Sequence, residues 1–179
     1  MFTIAALGAA DIPKILVADG GPWWRRDELY WVKCLEEQGL GHRDAIIAAD
    51  ELGVIGYAYL NWHSQYPRFR TRKIPEISDL RVADRHRRLG VATAMIAHFE
   101  GVARQAGCAT IGMGVGMYGG YGPAQRLYAK LGFVPDGYGL TYGNADVQPG
   151  AMVTVDDSLL LWLVRDLAPP AASPEGRPR

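Results

Sequence analysis

The residues best suited to chemistry lie where a predicted strand ends and a predicted helix begins. The sequence there reads Arg87-Arg88-Leu89-Gly90-Val91-Ala92. A glycine-containing turn at a helix start leaves several backbone N–H groups free, and the helix dipole adds about half a positive charge. Gly90 and Ala92 lack the larger side chains that would keep a ligand away from this backbone. The pattern therefore predicts a cradle for an anion, and a pyrophosphate fits it well.

Basic residues are concentrated around this loop. The chain has 19 basic and 19 acidic residues, but residues 68–88 hold eight bases against three acids, a local net charge of +5. The remainder therefore carries a net charge of −5. A compact basic segment favours a small polyphosphate over nucleic acid, which needs a broad basic face. A solvated charged loop is the alternative interpretation.

A second segment, downstream, has the spacing of a helix that packs one face into a core. Ala124, Leu127, Tyr128 and Leu131 recur at i, i+3, i+4 and i+7, and Gly132-Phe133 follow. Together with R-x-x-G-x-A at residues 87–92, this A-x-x-L-Y-x-x-x-G-F pattern resembles the GNAT superfamily of acyl-CoA-dependent N-acyltransferases. The resemblance covers about residues 1–167 and is strongest from 76 to 142.

The resemblance implies acetyl-CoA as the acyl donor and assigns its binding to three places. The backbone of one strand would pair with the pantetheine arm, as an added strand does, and the loop with the helix start would hold the pyrophosphate. One further residue occupies the position at which many members have a cofactor-contacting asparagine. The residues expected to bind the cofactor are Leu80, Arg81 and Val82 in the strand, Arg87, Arg88, Leu89, Gly90, Val91, Ala92 and Thr93 in the loop and helix, and Tyr121.

The resemblance also implies a proton donor and a general base. Tyr128 matches the tyrosine that protonates the departing CoA thiolate; it could instead only hydrogen-bond the sulfur, or serve as a core residue of the apolar helix face. An alkylammonium acceptor, with a pKa near 10.4, must lose a proton before it attacks. Glu76 is the first candidate base, since some histone-acetylating members carry their catalytic glutamate at the corresponding position, and Asp79 is the second. A regular strand would direct these acids to opposite faces, and either could instead pair with neighbouring arginines.

The acceptor pocket is implied to lie among the first two helices, their connection and the last strands. Asp156 and Asp157 are further candidates for acceptor binding. The four histidines share no metal-ligand spacing, so no metal is expected, and Cys34 and Cys108 are expected to be reduced. A subset of the aromatic residues in these segments would enclose an amine: Trp23, Trp24, Tyr30, Trp31, Trp62, Tyr66, Phe69 and Tyr142.

The hydrophobic pattern predicts a single α/β (α+β) domain over residues 1–167, with about seven strands in a mixed central sheet and about four flanking helices. Strands are predicted at 2–5, 45–49, 54–62, 77–82, 111–117, 138–141 and 159–164, and helices at 9–17, 22–38, 90–105 and 123–131. An aromatic and basic loop is predicted at 63–75, and a disordered proline-rich tail at 168–179. The strand–helix–strand unit over 77–117 should be right-handed and parallel.

One predicted strand is unusual, because glycines alternate with apolar residues over 111–117. The period of two predicts a strand with one face that lacks side chains. Such a face would let a cofactor arm or a helix approach closely.

The composition, with 179 residues of which 49% are apolar and 21% charged, is that of one globular domain. No apolar run approaches the roughly 20 residues of a membrane helix, and the N-terminus lacks the basic region of a signal peptide. We therefore expect a cytoplasmic N-acetyltransferase that transfers acetyl to a primary amine of a small molecule or peptide by direct attack, through a tetrahedral intermediate. No membrane or nucleic-acid partner is expected, and a homodimer is left open. The alternatives are an antibiotic-modifying acetyltransferase and a non-catalytic acyl-CoA sensor, which would keep residues 87–93 without needing Glu76 or Tyr128.

Overall fold

A computed structural model describes residues 1–18, 24 and 26–167 of the chain. Over this part the chain forms one sheet of eight strands, flanked by five α-helices. The strands are β1 (Thr3–Ala6), β2 (Arg43–Asp50), β3 (Gly53–Asn61), β4 (Glu76–Val82), β5 (Thr110–Gly116), β6 (Val134–Tyr142), β7 (Ala145–Asp146) and β8 (Leu159–Asp166). The helices are α1 (Ile12–Leu16), α2 (Glu28–Gly39), α3 (Pro67–Arg72), α4 (Val91–Gln105) and α5 (Gly122–Lys130).

The predicted mixed α/β architecture is confirmed, with one more strand and one more helix than expected. The strand order is β1-β2-β3-β4-β5-β8-β6-β7. Neighbouring strands are antiparallel except β4 and β5, which run parallel, as predicted for the strand–helix–strand unit. The additional strand is the two-residue β7, which pairs with the end of β6.

Helices α4 and α5 cover one face of the sheet. The buried side chains of α4 include Val91, Met95 and Phe99, a stripe at helical spacing that packs on the sheet side chains of the same cluster. Tyr128 of α5 belongs to this cluster as well. On the other face, Trp31 of α2 meets the side chains of β3 in a second cluster with α1. Fully burying a large apolar side chain contributes roughly 1.5–3 kcal/mol, so these two clusters hold the helices in place.

Helix α3 lies within the segment that was predicted to be a loop. Pro67 occupies its first turn, and Lys73 ends it in the left-handed region with a φ of 53°. Phe69 is buried and faces Gly112 of β5, where a Cβ atom would come within 2.2 Å of the ring. The glycine face of β5 therefore admits a helix side chain here, one of the two uses that the alternation predicts.

Helix α2 begins later than predicted. Its first residue is Glu28, because the Asp27 carboxylate accepts a hydrogen bond of 2.8 Å from the N–H of Tyr30 and so caps the helix. The preceding part of the predicted helix, residues 22, 23 and 25, lies outside the described residues. The predicted disordered tail, residues 168–179, lies outside them too.

Candidate active site

The parallel strands β4 and β5 pair only where β4 begins, and then separate. Glu76 lies opposite Gly112 and Ile77 opposite Met113, and within the described ranges the two strands form no further pairs. A cavity of about 100 Å³ opens at the divergence, lined by residues 77–81, Met113, Gly114, Tyr121 and Tyr128. The edge of β4 beyond Ile77 thus presents backbone N–H and C=O groups to which an extended ligand can add as a strand does.

A bulge in β4 changes the direction of the side chains that follow it. The register with β3 shifts between Tyr57 and Tyr59, and Asp79 has a φ of 47°. A positive φ is unfavourable for a residue other than glycine, and such bulges recur next to active sites. The prediction that successive side chains of β4 alternate between the two faces is therefore wrong after Ser78.

The bulge places both candidate acids on the face opposite α4. Ile77, Leu80 and Val82 pack with the α4 cluster. Asp79, in contrast, accepts a hydrogen bond of 2.9 Å from the hydroxyl of Tyr30 in α2. The negative charge of Asp79 also contributes to a raised pKa of Glu76. The expectation that these two acids face opposite sides is therefore wrong, because it assumed a strand without a bulge.

Glu76 is a carboxylate held in a poorly solvated position. Its Oε2 accepts a hydrogen bond of 2.5 Å from the hydroxyl of Ser64, which is itself buried. Burial raises the pKa of Glu76 above its ordinary value, the Ser64 hydrogen bond opposes the rise, and the charge of Asp79 adds to it. A carboxylate with a raised pKa is a stronger base, which suits the chemistry expected of Glu76.

Asp79 is already engaged by hydrogen-bonding and charged neighbours. Besides the Tyr30 hydroxyl, the guanidinium groups of Arg26 and Arg81 lie at 3.9 Å from its two oxygens. The alternative interpretation of Asp79, pairing with nearby arginines, thus describes its surroundings. Pairing with arginines does not describe the surroundings of Glu76, because its short contact is with the hydroxyl of Ser64.

Tyr128 is both a core residue of its helix and a lining residue of the cavity. Its ring is 8% exposed and packs in the α4 cluster, as the apolar helix face predicts, yet the residue also lines the cavity between β4 and β5. Burial raises the pKa of Tyr128 to about 12, and the positive charge of Arg81 opposes the rise. A packed ring that borders the cavity can present its hydroxyl to a ligand while the helix stays anchored.

The loop before α4 forms the expected open helix start. Gly90 is the N-cap with a φ of 84°, and a Cβ there would meet nothing within 4 Å, so this part of the backbone is accessible. The amide of Ala94 makes the first bond of the helix, to the carbonyl of Gly90. The amides of the three preceding residues have no helical partner and point toward the loop. The neighbouring Arg87 pairs with Asp84 at 2.7 Å, and both side chains are exposed.

Tyr121 lies over the glycine face at the far end of β5. A Cβ at Gly116 would come within 2.4 Å of the Tyr121 ring, so the glycine is required for this packing. The hydroxyls of Tyr121 and Tyr118 both donate to Oδ1 of Asp157, at 3.0 and 2.6 Å. Rings of the protein itself therefore cover β5 at Gly112 and Gly116, and the part of this face that lines the cavity is Gly114.

The remaining acceptor candidates are buried aromatic residues, half-buried aromatic residues and two acids. Trp24, Trp31, Tyr66 and Phe69 are core residues with exposures of 5% or less, whereas Tyr30, Trp62 and Tyr142 are half-buried. Trp23 lies outside the described residues. Asp156 accepts from the Tyr142 hydroxyl at 3.0 Å and from the Ser158 amide, and Asp157 holds the two tyrosines, so both acids have protein partners.

A larger and more open cavity of about 570 Å³ lies elsewhere, between α3 and the β6–β7 hairpin. Arg68 and Asp146, which form an ion pair across it, are among its lining residues. Neither candidate acid of β4 nor Tyr128 reaches this cavity, whereas Asp79 and Tyr128 both line the smaller one. Over the described ranges, no helix is long and apolar enough to cross a membrane. Three or more potential metal ligands do not come together in that same part of the chain.

Comparison with known proteins adds independent findings. The model of the acetyltransferase (GNAT) family matches residues 14–133. No curated protein matches the chain.

Several solved structures have a similar fold. An N-acetyltransferase from Staphylococcus aureus Mu50 superposes with a TM-score of 0.70 at 16% identity, covering 93% of this chain and 99% of that one. A ribosomal-protein-alanine N-acetyltransferase from Brucella melitensis gives 0.68 at 20% identity, with 92% and 99% covered. The protein yncA from Salmonella typhimurium, solved with its cofactor acetyl-CoA, gives 0.63 at 20%, with 96% of each chain covered. At these identities the likeness shows the fold.

Proposed function

This chain belongs to the acetyltransferase (GNAT) family, and from that premise we propose that it transfers the acetyl group of acetyl-CoA to a primary amine of a small molecule or peptide. The observation that carries the proposal is the cavity between the diverging strands β4 and β5. It brings Tyr128 beside the bulged part of β4, where Asp79 lines the cavity, and Glu76 is the first residue of the same strand. The candidate proton donor and the ligand-accepting strand edge thus meet at the cavity, and the candidate base lies on the same strand.

The proposed position of acetyl-CoA follows from two features of the backbone. The free amides at the start of α4 and the open surface at Gly90 suit the pyrophosphate, since a helix N-terminus favours anions. The unpaired edge of β4, at Leu80, Arg81 and Val82, suits the pantetheine arm. An acetyl-CoA complex of a protein with this fold supports the same ligand class.

The proposed reaction begins with deprotonation of the amine. Glu76 takes the proton from the bound ammonium group, directly or through water, because its buried carboxylate is a stronger base than an exposed one. The amine nitrogen then attacks the thioester carbonyl carbon, and backbone N–H groups of β4 stabilise the oxyanion. We assign Asp79 a positioning role, since its oxygens are already shared among Tyr30, Arg26 and Arg81.

The second step expels CoA from the tetrahedral intermediate. The C–S bond breaks, its electron pair passes to the sulfur, and Tyr128 donates its phenolic proton to the thiolate. The nitrogen, which became positively charged in the attack, releases its extra proton to water. A thiol with a pKa near 8.5 is a stronger acid than Tyr128, whose pKa burial raises to about 12. With these values the proton transfer is uphill by roughly 5 kcal/mol.

The experiment that tests the proposal is thiol release from acetyl-CoA over a panel of primary amines. The proposal predicts release of CoA that depends on the amine, with the acetyl group recovered on its nitrogen. Binding of CoA without release over the whole panel would instead indicate a non-catalytic sensor. A panel that contains antibiotic amines separates the resistance-type alternative, because activity would then be confined to them.

A further inference from the structure

The side chain of Arg81 has no part in the mechanism proposed above, which uses only its backbone. Arg81 lines the cavity between β4 and β5 together with Tyr121 and Tyr128. Its Nε is buried and has no hydrogen-bond partner among the described residues. A buried donor without an acceptor is unfavourable, and such groups often mark sites where a ligand or a reaction supplies the missing partner.

The charge of Arg81 is also only partly balanced. The carboxylate with which it pairs, Asp79, lies 3.9 Å away, and Arg26 approaches the same carboxylate at the same distance. Two guanidinium groups therefore share one carboxylate, which also accepts a hydrogen bond from Tyr30. Asp79 therefore neutralises the charge of Arg81 only in part.

The bulge at Asp79 accounts for the position of this side chain. Leu80 and Val82 pack with the α4 cluster, so Arg81 between them is directed to the opposite face, where the candidate acids lie. Its positive charge acts on the tyrosines around the cavity, and it opposes the raised pKa values of both Tyr121 and Tyr128. A cation beside a buried phenol favours the phenolate, since opposite charges attract strongly where water is excluded.

We propose that Arg81 is a positioning residue for acetyl transfer, whose guanidinium stabilises the negative charge that passes from the departing CoA sulfur to the oxygen of Tyr128. The proposal rests on the proposed function. When the C–S bond breaks, its electron pair moves to sulfur, and the phenolic proton of Tyr128 follows to give the free thiol and a phenolate. The phenolate then regains a proton from water. Arg81 lowers the free energy of the phenolate, and so of the transition state in which the phenolic proton passes to sulfur.

The first test is a double-mutant cycle with Tyr128→Phe. Arg81→Gln removes the charge, and kcat should fall about ten- to hundredfold, since a nearby charge shifts a pKa by one to three units. Arg81→Lys keeps the charge and should recover most of the rate. In the Tyr128→Phe background, Arg81→Gln should cost much less, because the phenol on which it acts is gone. Equal losses in both backgrounds, with the affinity for CoA unchanged, would overturn the proposal.

The second test does not need catalysis, so it separates this proposal from the proposed function. Tyr128 is replaced by difluorotyrosine, whose ring fluorines bring the phenol's titration to an accessible pH and report it by fluorine NMR. Arg81→Gln should raise the pKa of this phenol by about one unit or more, and Arg81→Lys should leave it nearly unchanged. An unchanged pKa in Arg81→Gln would overturn the role of Arg81. A shifted pKa in a protein that transfers no acetyl group would overturn the proposed function alone.

Discussion

The hydroxyl of Ser64 donates a hydrogen bond of 2.5 Å to Oε2 of Glu76, and this contact links the segment before α3 to the first residue of β4. Ser64 is buried, so the pair is largely removed from water. Burial raises the pKa of Glu76 while the hydrogen bond orients its carboxylate. Burial therefore supplies the raised basicity that a general base needs, and the Ser64 hydrogen bond supplies a fixed direction.

Glu76→Gln should lower kcat/KM at neutral pH, by roughly a hundred- to ten-thousandfold if Glu76 is the base. The loss should shrink as the pH approaches the pKa of the amine, because free amine then accumulates without a base. The measurement is kcat/KM as a function of pH, from about pH 6 to about pH 10. This range covers the ionisation of both the carboxyl group and the acceptor amine.

Asp79→Asn is the matched control for this prediction. It neutralises the other acid of β4 and should not show a loss that disappears at high pH. A pH-dependent loss in Asp79→Asn, together with a uniform loss in Glu76→Gln, would transfer the role of base to Asp79.

The raised pKa of Glu76 also predicts how stability changes with pH. The folded protein holds the Glu76 proton more tightly than the unfolded chain, so this group stabilises the fold in acid. That contribution is lost as the pH rises through the pKa of the folded state. The free energy of unfolding of Glu76→Gln, relative to wild type, should therefore increase between about pH 4 and pH 8.

Urea unfolding across this pH range measures the difference. Glu51→Gln, in the exposed turn between β2 and β3, is the control for the loss of one carboxylate. If Glu76→Gln and Glu51→Gln behave alike, Glu76 ionises in the folded protein as an exposed carboxyl does.

Binding at the start of α4 can be tested with a charge that does not harm the helix. Thr93 is exposed at the third helical position, where a glutamate stabilises a helix by its dipole. Thr93→Glu should therefore keep or raise the melting temperature of the free protein. It should weaken CoA binding about tenfold or more, because it places a carboxylate beside the pyrophosphate.

Thr93→Gln has nearly the same size without the charge and should bind CoA much as wild type does. The readout is the CoA-dependent rise in melting temperature, which corresponds to about 2.7 kcal/mol at a hundred times the dissociation constant. If Thr93→Glu binds CoA as tightly as wild type does, the pyrophosphate does not bind at this helix start. Substitution at Gly90 is a poorer test, because its φ of 84° would strain any side chain.

Tyr128→Phe removes one hydroxyl and leaves the buried ring in the α4 cluster, so stability and CoA affinity should change little. Loss of the proton donor should lower kcat by roughly ten- to ten-thousandfold. The loss should appear equally in kcat/KM, since the interaction exists mainly in the transition state. A wild-type rate, with chemistry shown to be rate-limiting, would leave Tyr128 as a core residue only.

The parts of the fold that local sequence determines were predicted well. The glycine before α4 and the apolar stripe that includes Tyr128 are each encoded within about ten residues of chain. Period-two alternation likewise identified β5. Helix α3 was missed because it has only six residues, three of which are arginines. Its buried residue, Phe69, packs against Gly112, which lies far along the sequence.

The bulge at Asp79 was not predictable from the residues of β4 alone. It depends on pairing with β3 and on the Tyr30 hydroxyl, which comes from a helix 49 residues away. Because the bulge was missed, the two acids were assigned to opposite faces, and Arg81 was considered only for its backbone. A non-local contact thus decided which side chains reach the cavity.

A crystal structure with bound CoA tests the central claim most directly. The account predicts the pyrophosphate within hydrogen-bond distance of the amides that begin α4, the pantetheine along the free edge of β4, and the sulfur in the cavity beside Tyr128. Density for CoA in the cavity between α3 and the β6–β7 hairpin, with the cleft between β4 and β5 empty, would contradict it.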